Sequence, residues 1–285
     1  KTTKIKGKGR LSGLFFIVMI KWILQNNLGD RSGSIDKLIS FLELFKIEFE
    51  TIKVIPFSTD LPEVKNDKLC IFYGSTTLIK NVANSKKWNP GVWFNPESYE
   101  FEKIKIGYGD CNLLNGDSRV ETIGNFLNEE NPSSKLFFVR PAADFKEFAG
   151  GLFTFAEAKF QWNKLEYSNG DLNFNTKIQI AEPKNILSEY RTIIVDRKVV
   201  TASQYKKDER FYLDSSVPDR IVSFANEMAK LYTPAEVFTM DICELPNHKL
   251  KIIELNTFNC SGFYYCDFYE IVKQVTNYTS ANYSI

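Results

Sequence analysis

The feature that most constrains the fold is a change in the pattern of predicted elements partway along the chain. From residue 19 to about 128, strand-like apolar runs alternate with segments of helical apolar spacing, as in "IKWILQN", "GSIDKLISFLELFKI" and "FETIKVIPF". Beyond residue 135 most segments are strand-like. The alternation predicts parallel pairing in a small Rossmann-like α/β domain, whereas the strand-rich remainder predicts an α+β region.

The length of 285 residues allows about two domains. The polar stretch at 131–134 separates the two patterns, so we expect an α/β domain over residues 19–130 and a second domain over 135–285. Residues 1–18 are basic and then apolar, like a secretory signal, but no small-residue cleavage site follows. We interpret them as a leader, a fusion remnant or mistranslated upstream sequence.

Composition argues against several classes of partner. The formal net charge is +1, and the aromatic residues are spread along the chain, so we expect neither nucleic acid nor membrane as a partner. No run of about 18 apolar residues predicts a transmembrane helix. Five cysteines without a C-x-x-C pair indicate reduced thiols and a cytoplasmic protein. The oligomeric state stays open.

The single histidine, His248, limits the chemistry that the chain can perform. A Ser–His–Asp triad and a histidine-based zinc site are both excluded in practice. Cys260 and Cys266 are alternative metal ligands, although no second thiolate pair supports them. An enzyme with this composition therefore relies on carboxylates, Lys and Arg, or on a bound cofactor.

Two polar residues interrupt an otherwise buried strand in "KIIELN". Glu254 and Asn256 project from the same face because side chains alternate along a strand. The preceding strand, "FTMDICE", forms a hairpin with it across "PNH", which places Asp241 opposite or close to Glu254. Two carboxylates and a carboxamide oxygen suit Mg²⁺, and a cation would offset their burial. The alternative is a solvated strand face.

Cationic residues cluster upstream, around a glycine pair. Arg140 ends the strand "LFFVRP", Lys146 lies in the loop before Gly150-Gly151, and Lys177 and Gln179 lie on a later strand. Arg grips phosphate oxygens bidentately, and backbone amides approach closely at glycine, so this group suits phosphate. A simple turn beside a helix explains the glycines equally well.

A third group of charges flanks "PKNILS". Glu182 and Glu189 are seven residues apart, and Arg191 lies two beyond Glu189 on the same strand face. Taken singly, each of these residues also fits an exposed charge on a strand.

The order of these groups resembles the ATP-grasp superfamily, in which two α+β subdomains hold ATP between them. The resemblance runs from about Lys135 to Tyr265, with a small pre-ATP-grasp domain before it. The segments "FVRPAADFKEFAGGLF", "EYRTIIVDRKVVTASQY" and "IIELNTFNCSGFY" look like a clade frequent in bacteriophage genomes. Members of that clade carry Arg where many relatives have the first phosphate-binding Lys.

The resemblance implies a role for each cation. Arg140 would touch the ATP phosphates, and Lys146 would lie in the loop that closes over them. Lys177 corresponds to the lysine that usually precedes the hinge between subdomains. Arg191 would face the γ-phosphate or the acyl-phosphate intermediate. Arg in place of Lys at position 140 replaces a point charge with a planar fork.

The remaining nucleotide and metal contacts are implied in the same way. Glu182, with the backbone of Ile180 and Ala181, would meet the adenine edge, and Glu189 would hold the ribose hydroxyls. One or two Mg²⁺ ions would be coordinated by Asp241, Glu254 and Asn256.

The implied reaction is ATP-dependent ligation of a carboxylate to an amine, on a small-molecule or peptide substrate. Asn259, Ser261 and Tyr264 are candidates for the acceptor side. Two alternatives remain: an ATP-grasp kinase for a small molecule, and a non-catalytic nucleotide-binding regulatory module.

Overall fold

The computed structural model describes residues 19–29, 33–142, 148–167 and 172–285. Its strands, in chain order, are β1 (Ile20–Gln25), β2 (Glu48–Ile52), β3 (Leu69–Tyr73), β4 (Pro90–Gly91), β5 (Arg119–Thr122), β6 (Leu136–Pro141), β7 (Gly151–Thr154), β8 (Lys177–Ala181), β9 (Ser188–Val195), β10 (Lys198–Lys207), β11 (Arg210–Asp214), β12 (Val237–Glu244) and β13 (Leu250–Thr257). Its α-helices are α1 (Ser34–Phe45), α2 (Thr76–Ser85), α3 (Phe101–Tyr108), α4 (Ile123–Leu127), α5 (Phe155–Trp162), α6 (Asp219–Leu231) and α7 (Phe268–Asn282). Short 3₁₀ helices lie at Pro96–Tyr99, Asp110–Asn112, Asn163–Tyr167 and Phe258–Cys260.

The chain divides into two compact units. The first unit comprises Lys1–Phe94 together with Asn259–Ile285, and the second comprises Asn95–Phe258. The chain thus leaves the first unit once and returns to it at its end. Both division points differ from the boundary that we expected at residues 131–134.

The first unit contains a four-stranded parallel sheet in the order β2-β1-β3-β4. The predicted strand–helix alternation and parallel pairing are therefore present. Every residue of β3 is buried, as expected for a parallel strand covered on both faces. Helix α2 is capped by Ser75, whose hydroxyl accepts a hydrogen bond from the Leu78 amide, and not by Thr76 as we expected.

The C-terminal helix α7 belongs to the first unit and not to the second domain expected from the sequence. Its buried residues include Ile271, Val272 and Val275. The indole nitrogen of Trp22, on β1, donates a hydrogen bond to the Thr276 hydroxyl at 3.1 Å. Packing against β1 therefore brings the end of the chain back to the first sheet.

Strand β5 explains why the first division lies at Phe94 rather than near residue 130. We expected a helix and then a linker over residues 118–134, but residues 119–122 form a strand that pairs antiparallel with β8. The resulting sheet has the order β5-β8-β6-β7, so β5 is part of the second unit. The same unit includes α3, in a stretch that we expected to consist mainly of turns.

The four-stranded antiparallel sheet of the second unit packs one face on an aromatic core. Phe126 of α4 lies edge-on to Phe137 of β6 and to Phe155 of α5, with ring centroids 5.3 and 5.4 Å apart. Trp162 and Ile178 complete this layer. Because side chains alternate, Arg140 on β6 and Gln179 on β8 project from the opposite face.

The second sheet of this unit has five antiparallel strands in the order β11-β10-β9-β12-β13. Its apolar face packs against α3 and α6, and the core includes Phe238, Met240 and Ile242 of β12. The intervening residue Asp241 therefore lies on the other face, which carries the charged residues.

Two register shifts interrupt the five-stranded sheet. Between β12 and β13, Asp241 pairs with Glu254 and Ile242 pairs with Ile252, so the pairing skips Ile253. Between β9 and β10, Tyr190 pairs with Gln204 and Glu189 pairs with Lys206, so the pairing skips Tyr205. Each shift is a β-bulge, which changes the direction of nearby side chains.

None of the helices in the described ranges is long and apolar enough to span a bilayer. All five cysteines are free thiols.

Candidate functional site

Three charged residues lie side by side across the centre of the five-stranded sheet. Arg191 on β9 pairs in register with Asp241 on β12, which in turn pairs with Glu254 on β13. The Arg191 guanidinium donates to both Asp241 oxygens, with Nε–Oδ1 at 2.8 Å and Nη2–Oδ2 at 2.6 Å. The predicted hairpin and the opposition of Asp241 to Glu254 are both confirmed.

The four-stranded sheet contributes a second arginine to this row. Arg140, near the end of β6, contacts Glu254 with Nη1–Oε2 at 2.7 Å. Gly150 lies against Arg140, because a Cβ added there would come within 2.8 Å of the Arg140 Cβ. A glycine is therefore required at position 150 for the loop to pass this arginine.

The acidic residues form a donor set that suits a divalent cation. Asn256 donates its amide nitrogen to Glu254 Oε1 at 2.9 Å, so its carboxamide lies beside the carboxylates. Burial raises the pKa of the Asp241 carboxyl to about 6; Arg191 opposes this rise and Glu254 adds to it. A cation would relieve the repulsion between the two acids, and hard oxygen ligands are those that Mg²⁺ prefers. Asp241, Glu254 and Asn256 therefore fit the expected metal.

A cavity of about 510 Å³ lies in the second unit next to this row. Its volume is within the range of small-molecule sites. Its apolar lining residues are Leu114, Phe138, Leu152, Ile186, Leu187 and Ile253. Its charged lining residues are Glu182, Lys184, Glu189, Lys206 and Glu209. Gly150 and Gly151 also line it, so the fold brings the glycine pair, Glu182 and Glu189 to one cavity.

A smaller cavity shares Asn115 and Ile253 with the larger one and is lined by Arg140, Gln179 and Glu254. Gln179 is buried, and its amide nitrogen donates to the Ser118 hydroxyl at 2.9 Å. The charged row and the larger cavity are therefore neighbours.

Glu189 has two partners that we did not predict. The Tyr205 hydroxyl donates to Glu189 Oε2 at 2.7 Å, and Lys206 Nζ lies 2.9 Å from Oε1. Burial raises the pKa of the Tyr205 hydroxyl well above 10, with Asp241 and Glu189 adding to the rise, so the group remains a donor. The signal in the sequence is "QYK" on the strand after Glu189, but strict alternation would place Tyr205 and Lys206 on opposite faces.

The other expected nucleotide contacts lie on or beside β8. Lys177 is exposed at the start of the strand, whereas Ile180 and Ala181 are buried at its end, directly before Glu182. Backbone pairing joins Ile180 to Val139 and to Arg119. Lys146 lies outside the described residues.

The three candidates for the acceptor side belong to the first unit. Asn259 is fully buried; its amide nitrogen donates to the Phe72 carbonyl at 2.6 Å, and its oxygen accepts from the Trp93 amide at 2.9 Å. The Ser261 carbonyl accepts a hydrogen bond from Tyr73. Tyr264 has a φ of 51°, in the left-handed region. Asn259 therefore braces the first sheet, and an acceptor role for these residues stays a prediction.

Within the described ranges, no group of three or more His, Cys, Asp and Glu side chains is arranged to hold a metal ion. This result covers the alternative ligands Cys260 and Cys266. It leaves the mixed set of two carboxylates and one carboxamide as the candidate.

Sequence comparison identifies one family along most of the chain. It is an ATP-grasp domain family, the third family of its clade, and its model matches residues 80–275. No curated protein matches the chain in sequence.

Solved structures with the same fold cover nearly the whole chain. D-cycloserine synthetase DcsG matches with a TM-score of 0.61 and 9% identity, over 91% of this chain and 99% of its own. D-alanine–D-alanine ligase from Bacillus anthracis matches with a TM-score of 0.57 and 14% identity, over 93% and 94%. The ATP-grasp ligase PsnB, with its minimal precursor, gives a TM-score of 0.54 and 12% identity, over 92% and 99%. The expected fold is confirmed.

Proposed function

This chain belongs to that ATP-grasp domain family, and on that premise we propose that it is an ATP- and Mg²⁺-dependent ligase joining a carboxylate to an amine. The observation that carries the proposal is the row Arg191–Asp241–Glu254–Arg140, which lies beside a nucleotide-sized cavity. A site for phosphoryl transfer needs phosphate-binding cations and metal-binding oxygens in close proximity, and this row supplies both.

Each residue has a defined task under this proposal. Glu182 meets the adenine edge from the cavity wall, and Glu189 accepts hydrogen bonds from the ribose hydroxyls. Arg140 and Arg191 hold phosphate oxygens, the first by exchanging its contact with Glu254. Lys177 adds a cation from the start of β8, and Lys146 would add one from outside the described residues. Mg²⁺, held by the acidic set, would neutralise phosphate charge.

The reaction proceeds in two displacements that require no histidine. A substrate carboxylate oxygen attacks the γ-phosphorus, the bond to the bridging oxygen breaks, and ADP leaves. The acyl phosphate that forms is then attacked at its carbonyl carbon by an amine, and inorganic phosphate leaves as the amine loses a proton. Catalysis consists mainly of positioning and charge neutralisation, which arginine, lysine and carboxylate side chains can supply.

We further propose a cytoplasmic location and a small-molecule or peptide substrate. The family match and the ligases among the structural neighbours support a substrate with a carboxylate and a separate amine acceptor. An association with bacteriophage remains part of the proposal.

Isothermal titration of ATP with and without Mg²⁺ tests the nucleotide and metal assignments. The wild type is compared with Asn256→Ala and with the matched control Asn247→Ala, in the exposed turn of the same hairpin. We expect Mg²⁺-dependent binding that weakens in Asn256→Ala and is unchanged in Asn247→Ala. Absence of ATP binding by the well-folded wild type would overturn the proposal.

A second experiment separates ligation from simple phosphorylation. ADP release is measured with carboxylate candidates alone, amine candidates alone, and the two together. A ligase needs both substrates for steady turnover, whereas steady turnover with one substrate would identify a kinase.

A further inference from the structure

Two adjacent residues of β10 bind the same carboxylate, which a regular strand does not allow. Neighbouring side chains on a strand point to opposite faces, yet Tyr205 and Lys206 both contact Glu189. The β-bulge provides the reason, since the pairing skips Tyr205 and resumes at Lys206 opposite Glu189. The register of β10 with β11 shifts at the same place. The bulge therefore turns both side chains towards one acid.

Glu189 is held by these two contacts at the cavity wall. Its exposed fraction is 8%, so its charge needs compensation from protein groups. Tyr205 binds one carboxylate oxygen and Lys206 binds the other, and each oxygen keeps a lone pair for one more donor. The carboxylate is thus fixed in place and still able to accept two hydroxyl groups.

Arg191 is a competing partner for Glu189. It lies two residues along β9 on the same face and pairs with Asp241. The Tyr205 ring centroid lies 5.8 Å from the Arg191 guanidinium carbon, so one side chain contacts both charged neighbours. Without the Tyr205 hydroxyl, Glu189 would be drawn towards Arg191 and away from its cavity position.

We propose that Tyr205 is a positioning residue that fixes Glu189 as the acceptor for ribose hydroxyls and so makes the site selective for ribonucleotides. This inference rests on the proposed function, because it assumes that the cavity binds ATP. Tyr205 acts through Glu189, and its effect therefore depends on whether the nucleotide carries the hydroxyls that Glu189 binds.

The test compares two nucleotides on two forms of the protein. Mg·ATP and Mg·2′,3′-dideoxy-ATP are titrated calorimetrically into the wild type and into Tyr205→Phe. We expect Tyr205→Phe to weaken ATP binding about tenfold, as for one lost hydrogen bond to a charged group. Binding of the dideoxy nucleotide should change by less than about twofold, because it lacks the hydroxyls concerned.

The Tyr212→Phe variant serves as the matched control, since its hydroxyl is exposed and lies 3.4 Å from Asp214, on the outer strand β11. It should bind both nucleotides as the wild type does. Equal weakening for both nucleotides in Tyr205→Phe, or no weakening, would overturn the inference while leaving ATP binding intact. Failure of the wild type to bind either nucleotide would overturn the proposed function and this inference together.

A second variant decides the matter if Tyr205→Phe does not fold. Lys206→Met removes the other partner of Glu189 at a side chain that is 40% exposed, so the fold should tolerate it. We expect ATP binding to weaken about threefold, less than in Tyr205→Phe because solvent screens an exposed cation. Weakening should again be confined to ATP, and equal losses for both nucleotides would contradict the inference.

Discussion

Arg191 and Arg140 each neutralise a carboxylate of the same acidic pair, but they do so in very different surroundings. The Arg191 and Asp241 side chains are 8% and 1% exposed and belong to adjacent strands of one sheet. The Arg140 and Glu254 side chains are 18% and 28% exposed and belong to different sheets. The first contact uses two hydrogen bonds in register with the backbone pairing, whereas the second joins two elements that have no pairing between them.

The difference separates a fixed ion pair from an exchangeable one. Breaking a buried bidentate pair leaves a charge that water cannot reach, so Arg191 and Asp241 stay together. A partly exposed pair exchanges its partner for solvent or ligand at little cost. Under the proposed function, Arg140 and Glu254 are therefore the residues that separate to take phosphate and metal.

The largest expected effect follows from removing the buried arginine. Arg191→Met should lower the free energy of unfolding by about 3–5 kcal/mol, because Asp241 is left buried without its cation. Urea unfolding followed by circular dichroism measures this loss. The double variant Arg191→Met with Asp241→Leu should recover much of it, and a double variant no more stable than Arg191→Met would contradict the explanation.

Glu254→Gln should have the next largest effect, on nucleotide binding rather than on folding. It removes the exposed member of the acidic pair with little change in size, so the gain in ATP affinity that Mg²⁺ provides should fall at least about tenfold, or about 1.4 kcal/mol. Titrations at constant ionic strength measure the gain. Glu236→Gln, away from the acidic row, is the control. An unchanged gain would exclude Glu254 from the metal site.

Arg140→Met sharpens the comparison from the other side. Because Glu254 remains accessible to water, this variant should lose no more than about 1 kcal/mol of unfolding free energy. Urea unfolding of Arg140→Met and Arg191→Met under one set of conditions is the measurement. Losses of equal size would mean that the two pairs do not differ in the way described.

The smallest effect concerns a third group of charges, at the last residue of β12. Glu244 accepts hydrogen bonds from Arg220 at 2.7 Å and from His248 at 2.6 Å. Burial favours a higher pKa for Glu244, but these two partners outweigh it and hold the pKa below 4.5. A lowered pKa adds stability at neutral pH that is lost as the pH falls through the folded-state value.

Glu244→Gln should therefore cost about 0.5–1 kcal/mol at pH 7, since the side chain of Arg220 is 46% exposed. The gap between wild type and variant should close as the pH drops below 4.5. Urea unfolding at neutral pH and at two successively more acidic values tests this, and a gap that persists at the lowest pH would contradict the assignment.

The sequence predicts the acidic site well because local rules determine it. Alternation places Glu254 and Asn256 on one face, and a short hairpin brings Asp241 beside them. Arg191 follows for the same reason, since its strand neighbours β12. These residues could be identified because the strand pattern is strong and the connections are short.

Long-range pairing explains what the sequence did not reveal. The partner of β5 is β8, more than fifty residues further along the chain, and no local pattern indicates that pairing. The return of α7 to β1 depends on Trp22 and Thr276, which are 254 residues apart. Tyr205 was missed because a bulge suspends the alternation on which the argument for strands depends.

The bulge on β13 also affects how this site can vary among relatives. The pairing skips Ile253, while Glu254, Leu255 and Asn256 each have a partner on β12. Ile253 lines the cavity, so it shapes the wall of the nucleotide site without helping to set the register of the acids. The strand can therefore gain, lose or exchange this one residue, and with it the contour of the cavity, while the acidic set keeps its place.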